Sequence, residues 1–322
     1  MSRDIHPGGG FQATPRVFFM QLYLSIIIPS FNTKKLLKDC LASIYKQTKE
    51  IKFEIIVVDN GSKDGSVEMV KKKFPKVKLI ALSKNMGYGR ANNLGAKKAK
   101  GEWLLFLNSD TKIINQAIDV ILKKTGDWGL GTGSYILGCK LLNPDGSIQS
   151  SAGYFPTLPK VITTMLFLDD LPILNSLIKP YQQSKKSFYQ KRQEVDWVTG
   201  ASLMIKKDLF KKIGGFDERF FMYAEEVDLC FRAKQKGAKV FYTPKAEIIH
   251  LKGASSKRGF ETAVLGEYKG LKYFFKKHKP VWQLPILKAI LFSGALLRIV
   301  VFGIIDKSKA KAYIKAIKKI RN

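Results

Sequence analysis

Between residues 24 and 107, short apolar runs rich in β-branched side chains alternate with stretches of helical periodicity, and no other feature constrains the fold as tightly. Strands are expected at 24–28, 54–58, 77–81 and 103–107, and helices at 36–45, 66–73 and 91–98. Strands apolar at consecutive positions are buried on both faces, and strands separated by helices pair in parallel. The pattern therefore predicts an α/β chain with a doubly wound, mainly parallel sheet flanked by helices. At 322 residues there is enough chain to bury one large core, with room for an appendage.

Regularity lapses between 111 and 194, where a Gly-rich stretch at 126–133 and a turn at Asn143-Pro144-Asp145-Gly146 interrupt it. The apolar stretch 161–178 is broken by Asp169-Asp170 and Pro172; it reads as an acceptor-side lid, a membrane-contacting loop or an insertion packed on the core. Regularity returns with 195–205, a helix at 207–213 stopped by Gly214-Gly215, a helix at 225–236, and strands at 239–242 and 247–251. The first sixteen residues have no apolar period and read as a disordered leader or an added extension, with a start near Met20. Cys40, Cys139 and Cys230 are scattered and odd in number, which speaks against a disulfide framework or a zinc site and for a reducing cytoplasm.

Charge is the unusual part of the composition: 56 Lys and Arg against 26 Asp and Glu leave a net +30, which favours anionic partners or is simply a lysine-rich solvated surface. The segment 286–305 is apolar except for Lys288 and Arg298, and seven basic residues follow it. A spanning helix needs about 20 apolar residues, and an Arg near its middle costs roughly 2.5 to 3.5 kcal/mol. An interfacial helix with its basic tail on an anionic leaflet gains about 1 kcal/mol per nearby Lys or Arg. Attachment to an anionic membrane surface, a true span and a soluble apolar helix are all compatible with this segment.

Polar clusters stand where the strands end. Asn108-Ser109-Asp110 follows the 103–107 run, at the strand edge where open α/β sheets bind ligands. Pro29-Ser30-Phe31-Asn32 closes the first strand, Asp59-Asn60-Gly61-Ser62 the second, and Asn85-Met86-Gly87-Tyr88-Gly89 precedes a helix. Each alone is also a turn or a helix cap. Together with Glu225-Glu226-Val227-Asp228 they read as a nucleotide-sugar site.

Sugar transfer needs a grip on base and ribose, neutralisation of a departing diphosphate, and a base for the acceptor hydroxyl. Asp59 can accept the N3–H of a uracil or thymine while Gly61 and Ser62 let the backbone turn closely, and Pro29, Ser30 and Asn32 would line the same crevice. Asn85, Gly87 and Arg90, at a helix start, suit phosphate or ribose oxygens. Asp110 is the candidate ligand for Mg²⁺ or Mn²⁺, which draw most ligands from phosphate and water, and His250 is a second ligand, a donor to the diphosphate or a structural histidine. Glu225, Glu226 and Asp228 exceed what capping of one helix requires, and repulsion with partial burial would raise one pKa and improve it as a general base.

Taken in order, the strings SIIIPSFN, VVDNGSKDGS, NMGYGRANNLG, FLNSD, MYAEEVDLCFRAKQKG and IIHLKGASS resemble the family 2 glycosyltransferases, particularly their rhamnosyltransferase-like branch. The resemblance runs from about residue 24 to 256. It implies a GT-A fold with a Rossmann-like, mainly parallel central sheet flanked by helices, carrying a C-terminal apolar and basic helical tail. The division implied is a leader over 1–20, a glycosyltransferase domain over 21–260 and a membrane-associating helical region over 261–322. It further implies inverting, single-displacement transfer from a UDP- or dTDP-sugar, dTDP-rhamnose first, to a glycan or polyprenyl-diphosphate-linked acceptor. Mapped onto this chain, Asp59 binds the pyrimidine, Asn108, Ser109 and Asp110 form the D-x-D-like metal motif, and His250 is the metal-associated histidine. Thr199, Gly200 and Ala201 border the donor and acceptor sugars, and the catalytic base falls on Glu226, ahead of Asp228 and Glu225. Two positions depart from the family pattern: Asn108 replaces the first Asp of D-x-D, and Glu226 stands where the family usually has Asp.

The expectation is therefore an enzyme of cell-surface polysaccharide synthesis on the cytoplasmic face of the membrane. A nucleic-acid-binding protein finds no supporting motif. A nucleotidylyltransferase would need a Gly-rich basic loop where Pro29-Ser30-Phe31-Asn32 stands.

Overall fold

The computed structural model describes residues 23–127, 134–168, 178–251 and 259–321. The expected leader and most of the Gly-rich 126–133 stretch lie outside these residues, as does the second half of the apolar 161–178 stretch.

Four strands alternate with three helices as expected: β1 (Tyr23–Ser30), α1 (Lys34–Gln47), β2 (Lys52–Asp59), α2 (Ser66–Lys73), β3 (Lys78–Ala81), α3 (Tyr88–Lys98) and β4 (Trp103–Leu107). They pair in parallel in the order β3-β2-β1-β4, with Ser30 beside Asp59 at the end of the β1–β2 register. Side chains of a strand point alternately to opposite faces. Ile27, Ile56, Val58, Leu104 and Phe106 accordingly join one apolar cluster, and Ile26, Ile28, Val57, Leu105 and Leu107 join the other. Both faces are covered, which is why these strands read as unbroken apolar runs.

The next stretch, expected to be irregular, holds β5 (Thr111–Ile113), α4 (Ala117–Asp127), β6 (Tyr135–Leu142), β7 (Ile148–Gln149), β8 (Ala152–Gly153) and α5 (Leu158–Met165). Strands of two or three residues are too short for a period to register. The regular stretch at 195–205 is built of three short strands: β9 (Gln193–Val195), β10 (Trp197–Val198) and β11 (Ser202–Lys206). β10 leaves to pair with β8 while β11 enters the main sheet antiparallel between β4 and β6. Both of these pieces are buried, so the change of sheet is invisible in hydrophobicity alone.

After α6 (Lys207–Lys212) and α7 (Glu225–Gln235), the two strands expected at 239–251 are one, β12 (Lys239–His250). Its register against β6 shifts between Thr243 and Glu247, around Pro244, which has no N–H to give to a ladder. β5 lies antiparallel on its other side and pairs Thr111 with His250.

Three helices complete the chain: α8 (Gly259–His278), α9 (Gln283–Ile305) and α10 (Lys307–Arg321). Tyr268, Phe274, Leu287, Leu291 and Ala316 belong to the same apolar cluster as Ile27 and Phe106. The C-terminal helices thus share the core of the sheet domain. α9 is long and apolar enough to cross a membrane, with mean hydropathy 2.1.

Candidate active site

Along the C-terminal ends of β1, β2 and β4, the loops are bound to one another. The amide of Asn32 donates to Ser62 Oγ at 2.8 Å, and the amide of Lys63 returns to Asn32 Oδ1 at 2.8 Å. Asn32 adopts a left-handed φ of 54°, a conformation Asn tolerates better than most residues. Ser30 and Thr33 hydroxyls lie 2.8 Å apart, and Thr33 passes the chain of bonds to Ser109 Oγ at 3.0 Å. Pro29 is buried within β1.

Asp59 is 1% exposed, and its two oxygens have different fates. Oδ1 accepts the amides of Gly61 at 3.1 Å and Ser62 at 2.8 Å, which ties the turn. Oδ2 is buried without a hydrogen-bond partner. An unpaired buried acceptor is costly, and a ring N–H of a ligand would answer it. Gly61 is required here: its φ is 83°, and a Cβ would stand 2.8 Å from Lys84 Cα.

The Asn85 loop is fastened in the same manner. Asn85 Oδ1 accepts the Gly87 amide at 2.9 Å, Asn60 Oδ1 accepts that of Met86 at 3.3 Å, and the Tyr88 amide donates to Phe221 O at 3.0 Å. Arg90 departs from expectation. The inner face of α3 is taken by Gly89, Ala91, Asn92, Gly95 and Ala96, so Arg90 is turned to solvent and lies 3.6 Å from Glu218.

Pairing of β5 with β12 brings Asp110 to His250, reinforced by the Leu251 amide donating to Asp110 O at 2.9 Å. Asp110 is 2% exposed; its Oδ1 lies 3.3 Å from His250 Nε2 yet accepts no hydrogen bond. Gln149, which no sequence signal singled out, sets the histidine. Its amide nitrogen donates to Asn143 Oδ1 at 2.7 Å and to His250 O at 3.2 Å, so its oxygen faces His250 Nδ1 at 2.6 Å. Nδ1 then carries the proton and Nε2 presents a lone pair, 3.3 Å from the Asn108 amide nitrogen.

A buried carboxylate oxygen without a partner beside an imidazole lone pair fits a divalent ion that takes its other ligands from a diphosphate and water. Among the described residues, no group of three or more His, Cys, Asp and Glu could hold a metal by protein ligands alone.

Across the cleft, α7 opens with the acidic pair. The two residues before it, Tyr223 and Ala224, both have left-handed φ, 74° and 68°. Such a pair of non-glycine residues persists only when its surroundings over-determine it. α8 supplies them: a Cβ on Gly270 would stand 2.7 Å from Tyr223 O, and one on Gly266 would meet the Tyr223 ring at 2.3 Å. Glu225 and Glu226 each keep one buried carboxylate oxygen without a hydrogen bond. Burial, and then the charge of Glu226, holds the Glu225 pKa well above the usual range. Glu226 is raised by burial, against backbone amides, Gly200 among them, that favour its anion.

Both glutamates face a cleft of about 290 Å³ that Asn108, Asp110, His250, Thr199, Gly200 and Ala201 also line. Tyr88 closes one side, its hydroxyl donating to Gly200 O at 2.6 Å. The expected metal, sugar and base residues thus meet in one place, while the Asp59 turn lies along the neighbouring strand ends. Asp228 does not join them. It is fully buried on another side of α7, bonded to Arg232, Lys277 and His278, so its expected place among the candidate bases is not supported by the geometry. A larger concavity of about 580 Å³, lined by Asn93, Lys207, Phe210 and Arg232 among others, contains neither the glutamate pair nor Asp110. Size is therefore no guide to the site in this fold; the buried, unpaired carboxylates are.

Comparison with known proteins bears on family and fold. Residues 25–127 match the family described as glycosyl transferase family 2. Over 275 residues the chain is 28% identical to the N-acetylglucosaminyl-diphospho-decaprenol L-rhamnosyltransferase of Mycobacterium tuberculosis, covering 82% of this chain and 87% of that one. It is 28% identical over 249 residues to the O-antigen biosynthesis protein RfbC of Myxococcus xanthus, covering 76% of this chain but 18% of that protein. Among solved structures, the mannosyltransferase PcManGT of Pyrobaculum calidifontis, in complex with GDP-Man and Mn²⁺, superposes with a TM-score of 0.56 at 17% identity, covering 92% of this chain and 86% of that one. That likeness carries the fold, which is GT-A. Residues 25–127 thus carry a family 2 glycosyl transferase domain, the longer alignments run to a rhamnosyltransferase and an O-antigen biosynthesis protein, and the chain is a glycosyltransferase.

Proposed function

We propose that the enzyme moves a sugar from a UDP- or dTDP-sugar, with dTDP-rhamnose the first donor to try, onto a glycan or polyprenyl-diphosphate-linked acceptor. The reaction would serve cell-surface polysaccharide synthesis on the cytoplasmic face of the membrane. The observation that carries this reading is the single cleft holding Asp110 and His250 opposite Glu225 and Glu226. Its support from relatives is the lipid-diphosphate acceptor in the name of the mycobacterial protein and the O-antigen role in that of the myxobacterial one.

In this reading Asp59 Oδ2 accepts the pyrimidine N3–H, and the bound turns after β1 and β2 shape the base pocket. Glu226 takes the proton of the acceptor hydroxyl as its oxygen forms a bond to the anomeric carbon. The bond from that carbon to the diphosphate breaks on the opposite side, which inverts the configuration. Glu225, whose pKa is raised by burial and by the charge of Glu226, faces the same cleft and would hydrogen-bond a sugar hydroxyl. Asp110 and His250 would hold Mg²⁺ or Mn²⁺, which neutralises charge on the departing diphosphate.

The test is release of UDP or dTDP from a panel of nucleotide sugars with Mg²⁺, with Mn²⁺ and with EDTA, comparing the wild type with Asp110→Ala and Glu226→Gln. Metal-dependent release from one donor, lost in both variants, is the expected result. No release from any donor in the presence of membrane lipid extract, with no nucleotide binding by calorimetry, would overturn the proposal.

A further inference from the structure

α9 is apolar around most of its circumference, with Lys288 half-buried, but its two faces have different fates. On the inner face Leu287, Leu291, Gly294 and Ala295 are buried against the domain, and a Cβ on Gly294 would stand 2.6 Å from Met165 Cβ. Arg298 is buried with them, 6% exposed. Its guanidinium donates to Thr164 O at 2.6 Å and also to Met165 O, and it stacks 4.2 Å from the Phe167 ring. These carbonyls end α5, where the helix dipole favours a cation. The one Arg in the apolar segment is therefore a clasp that fixes α9 to α5.

On the outer face Ile286, Leu296, Leu297, Val300 and Ile304 recur along the exposed side, with Val300 65% and Ile304 85% exposed. No exposed residue of α9 is charged. An apolar stripe of this length, broken only by Ser293, is rare on a water-facing surface. The turn before it exposes Trp282, and an indole is at home at the headgroup level. The helix packed on α9, through a stack of Phe302 on Tyr313, exposes Lys307, Lys311, Lys318 and Lys319. An apolar stripe beside exposed lysines, on a chain of net charge +30, is complementary to an anionic lipid leaflet.

We propose that α9 lies in the plane of an anionic leaflet, its Val300 face among the acyl chains and its Arg298 face clasped to α5, and does not cross the bilayer. Crossing would strip Leu287 through Arg298 from the domain, carry a guanidinium into hydrocarbon and take the cation from the Met165 carbonyl. An in-plane helix keeps all of those contacts. The inference rests on the function proposed above only in naming the surface from which a lipid-linked acceptor would be drawn.

Two single-cysteine labels flank the helix, Lys276→Cys and Ser308→Cys, both at exposed positions; the natural Cys40, Cys139 and Cys230 are buried. In sealed membrane vesicles of defined orientation, an impermeant maleimide should modify both labels from the same, cytoplasmic side. Modification from opposite sides would show a span and overturn the proposal. Purified full-length chain should co-sediment with phosphatidylglycerol vesicles, and Val300→Glu with Ile304→Glu should weaken that binding about tenfold or more while leaving nucleotide release from the donor unchanged. No vesicle binding by the wild type, or a double variant that binds vesicles normally but loses self-association, would also overturn it. Neither labelling nor sedimentation measures transfer, so failure here leaves the catalytic reading standing.

Discussion

His278 Nε2 lies 2.7 Å from Asp228 Oδ1, and through this contact the last turn of α8 holds the helix whose first turn carries Glu225 and Glu226. Lys277 Nζ reaches the same oxygen at 2.6 Å, and Arg232 Nε reaches the other at 2.8 Å. Burial alone would raise the Asp228 pKa; the bond from His278 and the charges of Arg232 and Lys277 outweigh it and hold the group below its usual range. A carboxylate with a depressed pKa stabilises the fold above its unfolded pKa, about 4, and that contribution is lost as pH falls through the lower folded value. Asp228→Ala should therefore cost about 3–5 kcal/mol at neutral pH, since it takes the carboxylate from the largely buried Arg232 and His278 and leaves Lys277 with Asp217 alone. Thermal melts across pH should show the gap between wild type and variant shrinking below about pH 4. A variant that melts with the wild type at pH 7 would contradict the arrangement.

The glutamate pair should be visible in the pH dependence of catalysis. Both pKa values are raised, by burial and, for Glu225, additionally by the charge of its neighbour. A general base works in its deprotonated form, so kcat/KM should climb with pH through an apparent pKa above the ordinary glutamate value of about 4.3. Because the two acids interact, the limb belongs to the pair. Glu226→Gln should reduce kcat by about 10²- to 10⁴-fold and Glu225→Gln by less. A profile flat from pH 4 to 8, or equal losses in both variants, would move the base elsewhere.

Gln149 is expected to act on metal affinity through His250. Its oxygen, 2.6 Å from Nδ1, fixes the tautomer that leaves Nε2 free. Gln149→Leu should weaken Mn²⁺ binding by about 10- to 100-fold, as loss of such a partner does in other sites. Calorimetry or Mn²⁺ paramagnetic resonance in the presence of UDP would read this directly. Unaltered affinity would mean that the imidazole is oriented by other contacts.

Gly270 offers a test of how the strained entry to α7 is held. A Cβ there would stand 2.7 Å from Tyr223 O and 2.9 Å from Ala224 Cβ, so Gly270→Ala must push the left-handed pair away from α8. Overpacking of this kind costs about 1–3 kcal/mol. Because displaced residues carry the glutamates directly, kcat should fall by about tenfold or more while KM for the donor changes little. A melt lowered with kcat intact would reduce Gly270 to a packing role.

Several features are legible in the amino-acid sequence, each for a local reason. Strands buried on both faces appear as apolar runs, and their C-terminal ends announce themselves by polar residues that no core would accept; Asp59, Asn108 and Asp110 stand out in that way. Helical geometry explains why Asp228 parts from the glutamate it follows: at about 100° per residue, Glu226 and Asp228 sit about 160° apart on one helix and cannot both face the same cleft.

What the chain's own pattern determined is the class of sheet, the position of its ligand edge and the family motifs strung along it, because each depends on residues close in sequence. Tertiary structure alone decided which acids meet, how Gln149 comes to hold a histidine 101 residues away, why Arg90 faces Glu218, and that Arg298 is spent on the end of α5. Those outcomes depend on partners brought in by packing from distant segments, and a local period carries no record of which distant group will fill a given space.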